Sequence, residues 1–208
     1  MQKNIPERSY THANKLTIKI LALLISGGLL IAVLMCVYCF RIHRINDLSA
    51  FCLAKACSSL ASGNRRLGTT LLDEVIAKYP KTPAAYQAKL FRADIFTELK
   101  HYDKALDILM NTASEAEPKS IRPLALARII YIYDSKKDYT NAITMSKNFI
   151  AKYADHFLTK DIYLNLAEYY LNAGLKNDAV KTFTEILINF PATQEARTAQ
   201  KRIDEIKK

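Results

Sequence analysis

The chain has 208 residues, a formal net charge of +10, and only five Gly and six Pro, so its composition favours helices and excludes a many-turned β fold. Its length leaves room for one folded domain that buries a sizeable core. The positive charges beyond residue 40 are scattered without forming a block, which argues against nucleic acid as a partner.

The first predicted element is an apolar segment, Ile20–Phe40, that contains no charged residue. Its 21 residues would span about 31 Å as an α-helix, which matches the hydrocarbon core of a bilayer. Lysines precede the segment and Arg41 and Arg44 follow it, so cationic side chains mark both ends. We therefore predict an uncleaved transmembrane helix after a short basic tail, 1–19, with the lipid bilayer as its partner.

Three other interpretations of this segment are weaker. A cleaved signal peptide has a shorter apolar region and a small-x-small site, whereas the nearby triplet 54–56 follows several charges. A lipoprotein would be modified at Cys36 or Cys39, but bulky residues precede both. A buried helix of a soluble protein is disfavoured by the lack of any polar face.

The charges on either side of the span say little about which side of the membrane the C-terminal domain occupies. The tail before the span and the residues after it carry nearly equal numbers of Lys and Arg. The positive-inside rule therefore favours a cytoplasmic N-terminus and an external C-terminal domain only slightly.

The cysteines and histidines give no metal or cofactor pattern. Cys52 and Cys57 would lie about 8 Å apart along a helix, which is beyond comfortable disulfide reach. The histidines are widely separated, and no phosphate-binding, dinucleotide-binding, metalloprotease or nucleophile-elbow motif occurs. We therefore expect no cofactor, no metal, no small-molecule substrate and no enzymatic activity.

Beyond the membrane span, a 37-residue repeat predicts a series of helical hairpins. The segments around Ala105, Ala142 and Ala179 align with these small residues 37 apart, and one further step back falls on Gly68. In a helix-turn-helix unit the second helix crosses the first closely, and a small residue permits that approach. These four residues are the predicted hairpin-packing positions.

Helix limits follow from local signals. A Pro comes directly after Tyr79 and after Phe190, and it ends a helix because it has no backbone N–H to donate. Thr82 is a predicted N-cap before a Pro, and Asp138 and Asp155 are further predicted caps. After the membrane span, the predicted helices in chain order are 44–61, 65–79, 83–99, 103–115, 120–136, 139–153, 157–173, 177–190 and 192–207.

The segment Leu164–Val180, LNLAEYYLNAGLKNDAV, resembles the tetratricopeptide consensus, and Ile129–Ile143 resembles it more loosely. The residues on consensus positions are Leu166, Ala167, Tyr170, Gly174 and Ala179. A basic tail, one membrane helix and several degenerate repeats together resemble the ancillary SecYEG translocon subunit (YfgM-like) family, whose repeat domain is related to that of the cell-division coordinator CpoB. This resemblance implies a bacterial inner-membrane protein with periplasmic repeats, next to translocon subunits, chaperones or secretory chains.

The predicted fold class is all-α, with a single N-terminal transmembrane helix followed by an α-solenoid of about 3.5 tetratricopeptide-like hairpins and a C-terminal capping helix. The predicted domains are the tail 1–19, the transmembrane helix 20–40, a juxtamembrane or first helix 41–64, and the repeat domain 65–208.

On such a scaffold the first helices of successive hairpins line a concave groove. The consensus register places apolar and acidic residues there, so the groove would suit an amphipathic or basic segment of a protein partner. The alternative is that several of these acids pair with Lys across turns. The predicted groove residues are Leu90, Asp94, Glu98, Ala127, Tyr131, Asp134, Leu164, Glu168 and Leu171.

The leading functional interpretation is a noncatalytic, membrane-tethered adaptor of the bacterial envelope beside the translocon. A second is a structural protein that forms a homo-oligomer and organises cell division or outer-membrane assembly. A third is an organelle import receptor whose repeats face the cytosol.

Overall fold

The computed structural model describes the backbone of residues 7–208 and the side chains of residue 21 and residues 23–208. This part of the chain is helical throughout, with turns between the helices. The predicted tail, residues 1–19, lies outside the described side chains. The helices are α1 Glu7–Ala61, α2 Arg65–Lys78, α3 Pro83–Glu98, α4 Tyr102–Glu115, α5 Ile121–Ser135, α6 Tyr139–Lys152, α7 Thr159–Asn172, α8 Lys176–Asn189 and α9 Gln194–Ile206.

The chain forms two compact units, Met1–Leu48 and Ser49–Lys208. An apolar stretch of α1 within Leu23–Ala61 has a mean hydropathy of 2.5, and none of it is buried. This helix is therefore long and apolar enough to cross a membrane.

The structure joins two predicted helices into one. The sequence predicted a break after the apolar segment, whereas α1 continues without interruption to Ala61. No Gly or Pro occurs between Gly28 and Gly63, so nothing in this stretch breaks the helix. Gly63 follows the helix end with a φ of 82°, a conformation that Gly adopts without strain.

The second unit is a row of antiparallel hairpins in which each helix from α2 to α9 packs against its neighbours in the chain. We call α3, α5, α7 and α9 the first helices, because each opens a hairpin or, for α9, caps the row. α3 lies directly against α5, and α7 against α9, whereas α5 and α7 are held mainly by α6, which packs against both. The all-α class predicted from the sequence is confirmed for the described residues, and α2 to α9 form the predicted series of helical hairpins.

Two of the three predicted caps are confirmed. The side chains of Thr82 and Asp138 each accept a hydrogen bond from the backbone N–H three residues on. The prediction for Asp155 is wrong, because α7 begins only at Thr159, after a residue without a side-chain cap. The Thr159 hydroxyl instead donates to the backbone oxygen of Tyr153 at 2.6 Å, which fixes the turn before α7.

Candidate functional site

The four small residues of the repeat lie inside their hairpins. Ala105, Ala142 and Ala179 have no exposed surface. At Gly68, an added Cβ would come within 2.5 Å of the Leu60 Cδ2 atom and 3.1 Å of the Leu60 backbone nitrogen. A larger side chain at any of these positions would therefore have to displace its neighbours.

The predicted groove residues lie on α3, α5 and α7, three on each helix. They differ widely in exposure. Tyr131 is 61% exposed, whereas Leu90 is only 4% exposed and sits in the core between α3 and its neighbours. Leu90 therefore does not line the surface, because α3 packs against both α4 and α5. The remaining predicted residues are partly buried, apart from the exposed Glu98.

Two first helices are tied to the preceding first helix by an arginine. The Arg128 Nε atom donates to Asp94 Oδ1 at 2.8 Å, and its Nη2 atom donates to Oδ2 at 3.1 Å. In the same way, Arg202 donates to the two carboxylate oxygens of Glu168 at 2.7 and 3.2 Å. Both pairs have the bidentate geometry that gives guanidinium–carboxylate contacts their specificity.

A third predicted groove acid is also paired within the chain. The Arg65 Nη2 atom donates to Glu98 Oε2 at 2.6 Å. The sequence alternative was pairing with Lys across turns, whereas the partners are arginines on other helices. Asp94, Glu98 and Glu168 consequently already have an intramolecular cation, and the groove is less acidic than the sequence suggested.

The two bidentate pairs occupy equivalent positions in the 37-residue repeat. The carboxylate positions are Asp94 and Glu168, and Tyr131 lies midway between them in the sequence. The guanidinium positions are Arg128 and Arg202, with Asn165 midway. Tyr131 and Asn165 cannot form an ion pair, so the repeat of paired charges is interrupted between α5 and α7. We call the concave surface around these two residues the α5–α7 junction.

The α5–α7 junction has other distinctive features. Among the described residues, no ion pair joins the chain up to residue 158 to residues 159–208. The connection before α7, 153–158, is the longest between consecutive helices in the described range. Beside the junction, the ring of Tyr139 on α6 stacks on that of Tyr169 on α7, with centroids 6.4 Å apart. Apolar and aromatic packing therefore joins α7 to the preceding hairpin.

Asp134 lies one helical turn beyond Tyr131 on α5 and is partly buried. Within the part of the chain whose side chains the structure describes, its carboxylate forms no hydrogen bond or ion pair. Burial raises the pKa of Asp134 above its ordinary value. Burial, and secondarily the charge of Asp134, raises the pKa of the Tyr169 hydroxyl, which places this carboxylate near α7.

A shallow depression of about 420 Å³ lies beside the Asp94–Arg128 pair and extends to Tyr131, Ser135 and Lys100. Its lining offers hydroxyl groups, the Asp94–Arg128 ion pair and two tyrosine rings, which suit the polar backbone and side chains of a bound segment. In the described residues, no group of three or more His, Cys, Asp or Glu is placed to hold a metal ion.

Sequence reasoning missed Arg128, Arg202 and Asn165 as residues of the concave surface. A signal for the two arginines was present, because each follows an acid by 34 residues at matching repeat positions. Consensus register alone does not reveal such pairs, since it does not say which side chains on adjacent helices reach each other.

We expect Arg128→Ala to lower the free energy of unfolding by about 1 kcal/mol, because the bidentate bonds are partly screened by solvent. Urea denaturation of the full chain in detergent measures the loss. The matched control is Lys136→Ala, whose partner Asp103 has a 94% exposed side chain. The control should change stability by less than about 0.5 kcal/mol, and equal losses would contradict a special role for the bidentate pair.

We expect Asp134→Asn to raise the melting temperature at neutral pH. A raised pKa means that the folded protein binds the proton more readily than the unfolded chain does. The ionised acid therefore lowers stability above its folded-state pKa, and this penalty vanishes below the unfolded-state pKa of about 3.9. Melting followed by circular dichroism at pH 7 and at about pH 3 checks this. The same gain at both pH values would contradict the explanation.

The tetratricopeptide repeat family model matches residues 161–193, which include most of α7 and all of α8. No curated protein matches the sequence.

Three solved structures have a similar fold. A kinesin light chain protein with TPR-like repeats from Podosopora anserina has a TM-score of 0.59 and 15% identity, covering 76% of this chain and 84% of that one. A tetratricopeptide repeat protein from Parabacteroides merdae has a TM-score of 0.63 and 14% identity, covering 76% and 60%. MamA from AMB-1 has a TM-score of 0.52 and 19% identity, covering 71% and 76%.

At these identities the solved structures establish the fold alone. Repeats of this type bury one helix face against the next hairpin and leave an extended surface for other proteins. The chain therefore carries a tetratricopeptide repeat at residues 161–193 within a tetratricopeptide-like solenoid, a fold that serves as a protein–protein interaction scaffold.

Proposed function

We propose that this protein is a noncatalytic scaffold of the bacterial envelope, tethered in the inner membrane and binding segments of other proteins in its concave groove. The observation that carries the proposal is the combination of an unburied apolar helix with a tetratricopeptide-like solenoid on the same chain. An anchor of this kind keeps the groove close to other membrane proteins, which raises the effective concentration of the two partners.

In this proposal the domains are a basic tail at 1–19, a membrane-spanning helix at 20–40, a juxtamembrane helix at 41–64 and a repeat domain at 65–208. The N-terminus is cytoplasmic and the repeats are periplasmic. The partners are translocon subunits, chaperones or secretory chains, as the resemblance to the ancillary translocon subunit family implies.

The groove in this proposal consists of the predicted residues that reach the surface. Ala127 and Tyr131 on α5, and Leu164 and Leu171 on α7, supply apolar contact area. The carboxylate of Asp134 supplies charge, since it is not neutralised by a side chain in the described part of the chain.

Membrane topology is tested by fusing a reporter enzyme that is active only in the periplasm after Lys208. We expect activity from the full chain and none from a chain that lacks residues 20–40. An inactive full-length fusion that is present in normal amounts would overturn the periplasmic location.

Photocrosslinking in living cells tests the groove. A photoreactive residue in place of Leu171 or Ser135 leaves Tyr131 and both bidentate pairs intact. We expect both positions to label translocon subunits, chaperones or secretory chains, and a control at the exposed Lys181 on α8 to label none of them. Labelling of no envelope or secretory protein from either groove position would overturn the function.

The structural, self-associating alternative is supported by two exposed apolar side chains in the repeat unit, Phe157 at 69% and Ile188 at 71%. Exposed apolar residues of this size favour association when they form a patch. Sedimentation of the full chain in detergent separates the two functions, since a tight homo-oligomer that blocks crosslinking from Leu171 supports self-association.

A further inference from the structure

At two places an ion pair joins one first helix to the next, because the chain supplies both the cation and the carboxylate. Between α3 and α5, and again between α7 and α9, an arginine of the later helix lies against a carboxylate of the earlier one. At the α5–α7 junction the same two repeat positions hold Tyr131 and Asn165, so the chain contributes neither charge there.

A carboxylate is nevertheless present beside this junction. Asp134 follows Tyr131 by three residues on α5, which places both on the same helix face. Tyr131 is 61% exposed, so its ring is accessible to a partner. An accessible aromatic ring next to an unneutralised carboxylate binds a guanidinium group well, because the cation interacts with the ring face and donates hydrogen bonds to the carboxylate.

The other acids of the groove are less suited to a cationic partner. Asp94, Glu98 and Glu168 are each bonded to an arginine of the chain. Asp134 is therefore the groove acid with the strongest electrostatic reason to attract a cation from outside the chain.

We propose that the α5–α7 junction is the specificity site of the groove and that it binds an arginine side chain of the partner protein, held between the Tyr131 ring and the Asp134 carboxylate. This inference rests on the proposed function, because it names the residue type that the groove selects in a bound segment. Arginine fits better than lysine, since a planar guanidinium both stacks on a ring and forms paired hydrogen bonds, whereas an ammonium is a strongly hydrated point charge.

The test uses the full chain in lipid nanodiscs and three short fluorescein-labelled peptides of Ser, Leu and Gly. The peptides differ only at one central residue, which is Arg, Lys or Gln. Fluorescence anisotropy titrations give the dissociation constants. We expect the Arg peptide to bind about tenfold more tightly than the Gln peptide, with the Lys peptide between them.

Two single variants assign the preference to the site. Asp134→Asn keeps the shape of the side chain, and Tyr131→Ala removes the ring. Each should abolish the Arg preference, measured as the ratio of the dissociation constants for the Gln and Arg peptides. Asp107→Asn, which alters an exposed acid on α4, is the matched control and should keep the preference. Melting temperatures confirm that each variant is folded.

A double variant tests the register of the junction. Tyr131→Asp combined with Asn165→Arg places both charges at the positions that hold the bidentate pairs in the neighbouring hairpins. We expect this variant to lose the Arg preference, because the Tyr131 ring is gone. A higher melting temperature would show in addition that α5 and α7 approach closely enough for the introduced pair to form. A folded double variant with an unchanged Arg preference would overturn the site.

Failure of this inference differs from failure of the proposed function. Equal affinities for the three peptides, or an Arg preference that survives Asp134→Asn, would overturn the arginine site while crosslinking from Leu171 still supported the scaffold. An Arg preference of the expected size supports the site even if crosslinking identifies a different partner class and overturns the location beside the translocon.

Discussion

Phe149→Ala is expected to lower the free energy of unfolding by about 3–5 kcal/mol. Phe149 is fully buried in the central core cluster. Its ring lies 5.4 Å from the ring of Tyr153 and 5.8 Å from that of His156, measured between centroids. Truncation would leave a cavity at the base of the turn before α7, where the surrounding helices can only partly collapse.

Phe157→Ala is the matched control for this substitution. Phe157 is 69% exposed and stacks only at the surface, with its ring centroid 4.4 Å from that of His156. We expect a change within about 0.5 kcal/mol. Urea denaturation of the full chain in detergent measures both variants. If both variants lost a similar amount of unfolding free energy, the effect would come from the turn that both side chains contact and not from burial of Phe149 in the core.

Much of the solenoid could be predicted because its determinants are local or periodic. A 37-residue repeat of small residues fixed the hairpin register, and the positions of Ala105, Ala142 and Ala179 are buried in the structure. Helix starts such as Thr82 and Asp138 depend on one side chain and one nearby backbone N–H, so the sequence carries their whole signal.

Other features depend on packing between segments that are distant in the sequence. Asp155 has a side chain that can accept an N-cap hydrogen bond, but the connection before α7 is longer than expected and the helix begins only at Thr159. Leu90 occupies a groove position in the consensus register, yet direct packing of α3 against α5 buries it. Neither outcome follows from the residue type and its immediate neighbours.

The charge of the groove was the least predictable property. The acids were visible in the sequence, but whether an acid such as Asp94 is neutralised depends on whether an arginine of another helix reaches it. Arg128 reaches Asp94, whereas the equivalent residue of the next hairpin is Asn165. The groove therefore differs in character from one junction to the next, although the backbone repeat is regular.

Ala142→Trp is expected to cost about 3 kcal/mol or more of unfolding free energy, because the new side chain overpacks the crossing of α5 and α6. Ala142 has no exposed surface and belongs to the same core cluster as Phe149. An indole ring at this position can be accommodated only by separating the two helices of the hairpin, which would also expose their apolar faces.

The control for this variant is Ala151→Trp, which makes the same change at an exposed position of the same helix. It should alter stability by less than about 0.5 kcal/mol. Since the chain contains no Trp, the emission of the introduced indole adds an independent readout. The indole at position 142 should show blue-shifted fluorescence only if the two helices separate enough to bury it while the domain stays folded. If Ala142→Trp retains both helicity and melting temperature, the small residues of the repeat do not mark the close helix crossings, and the 37-residue register would have to be reassigned.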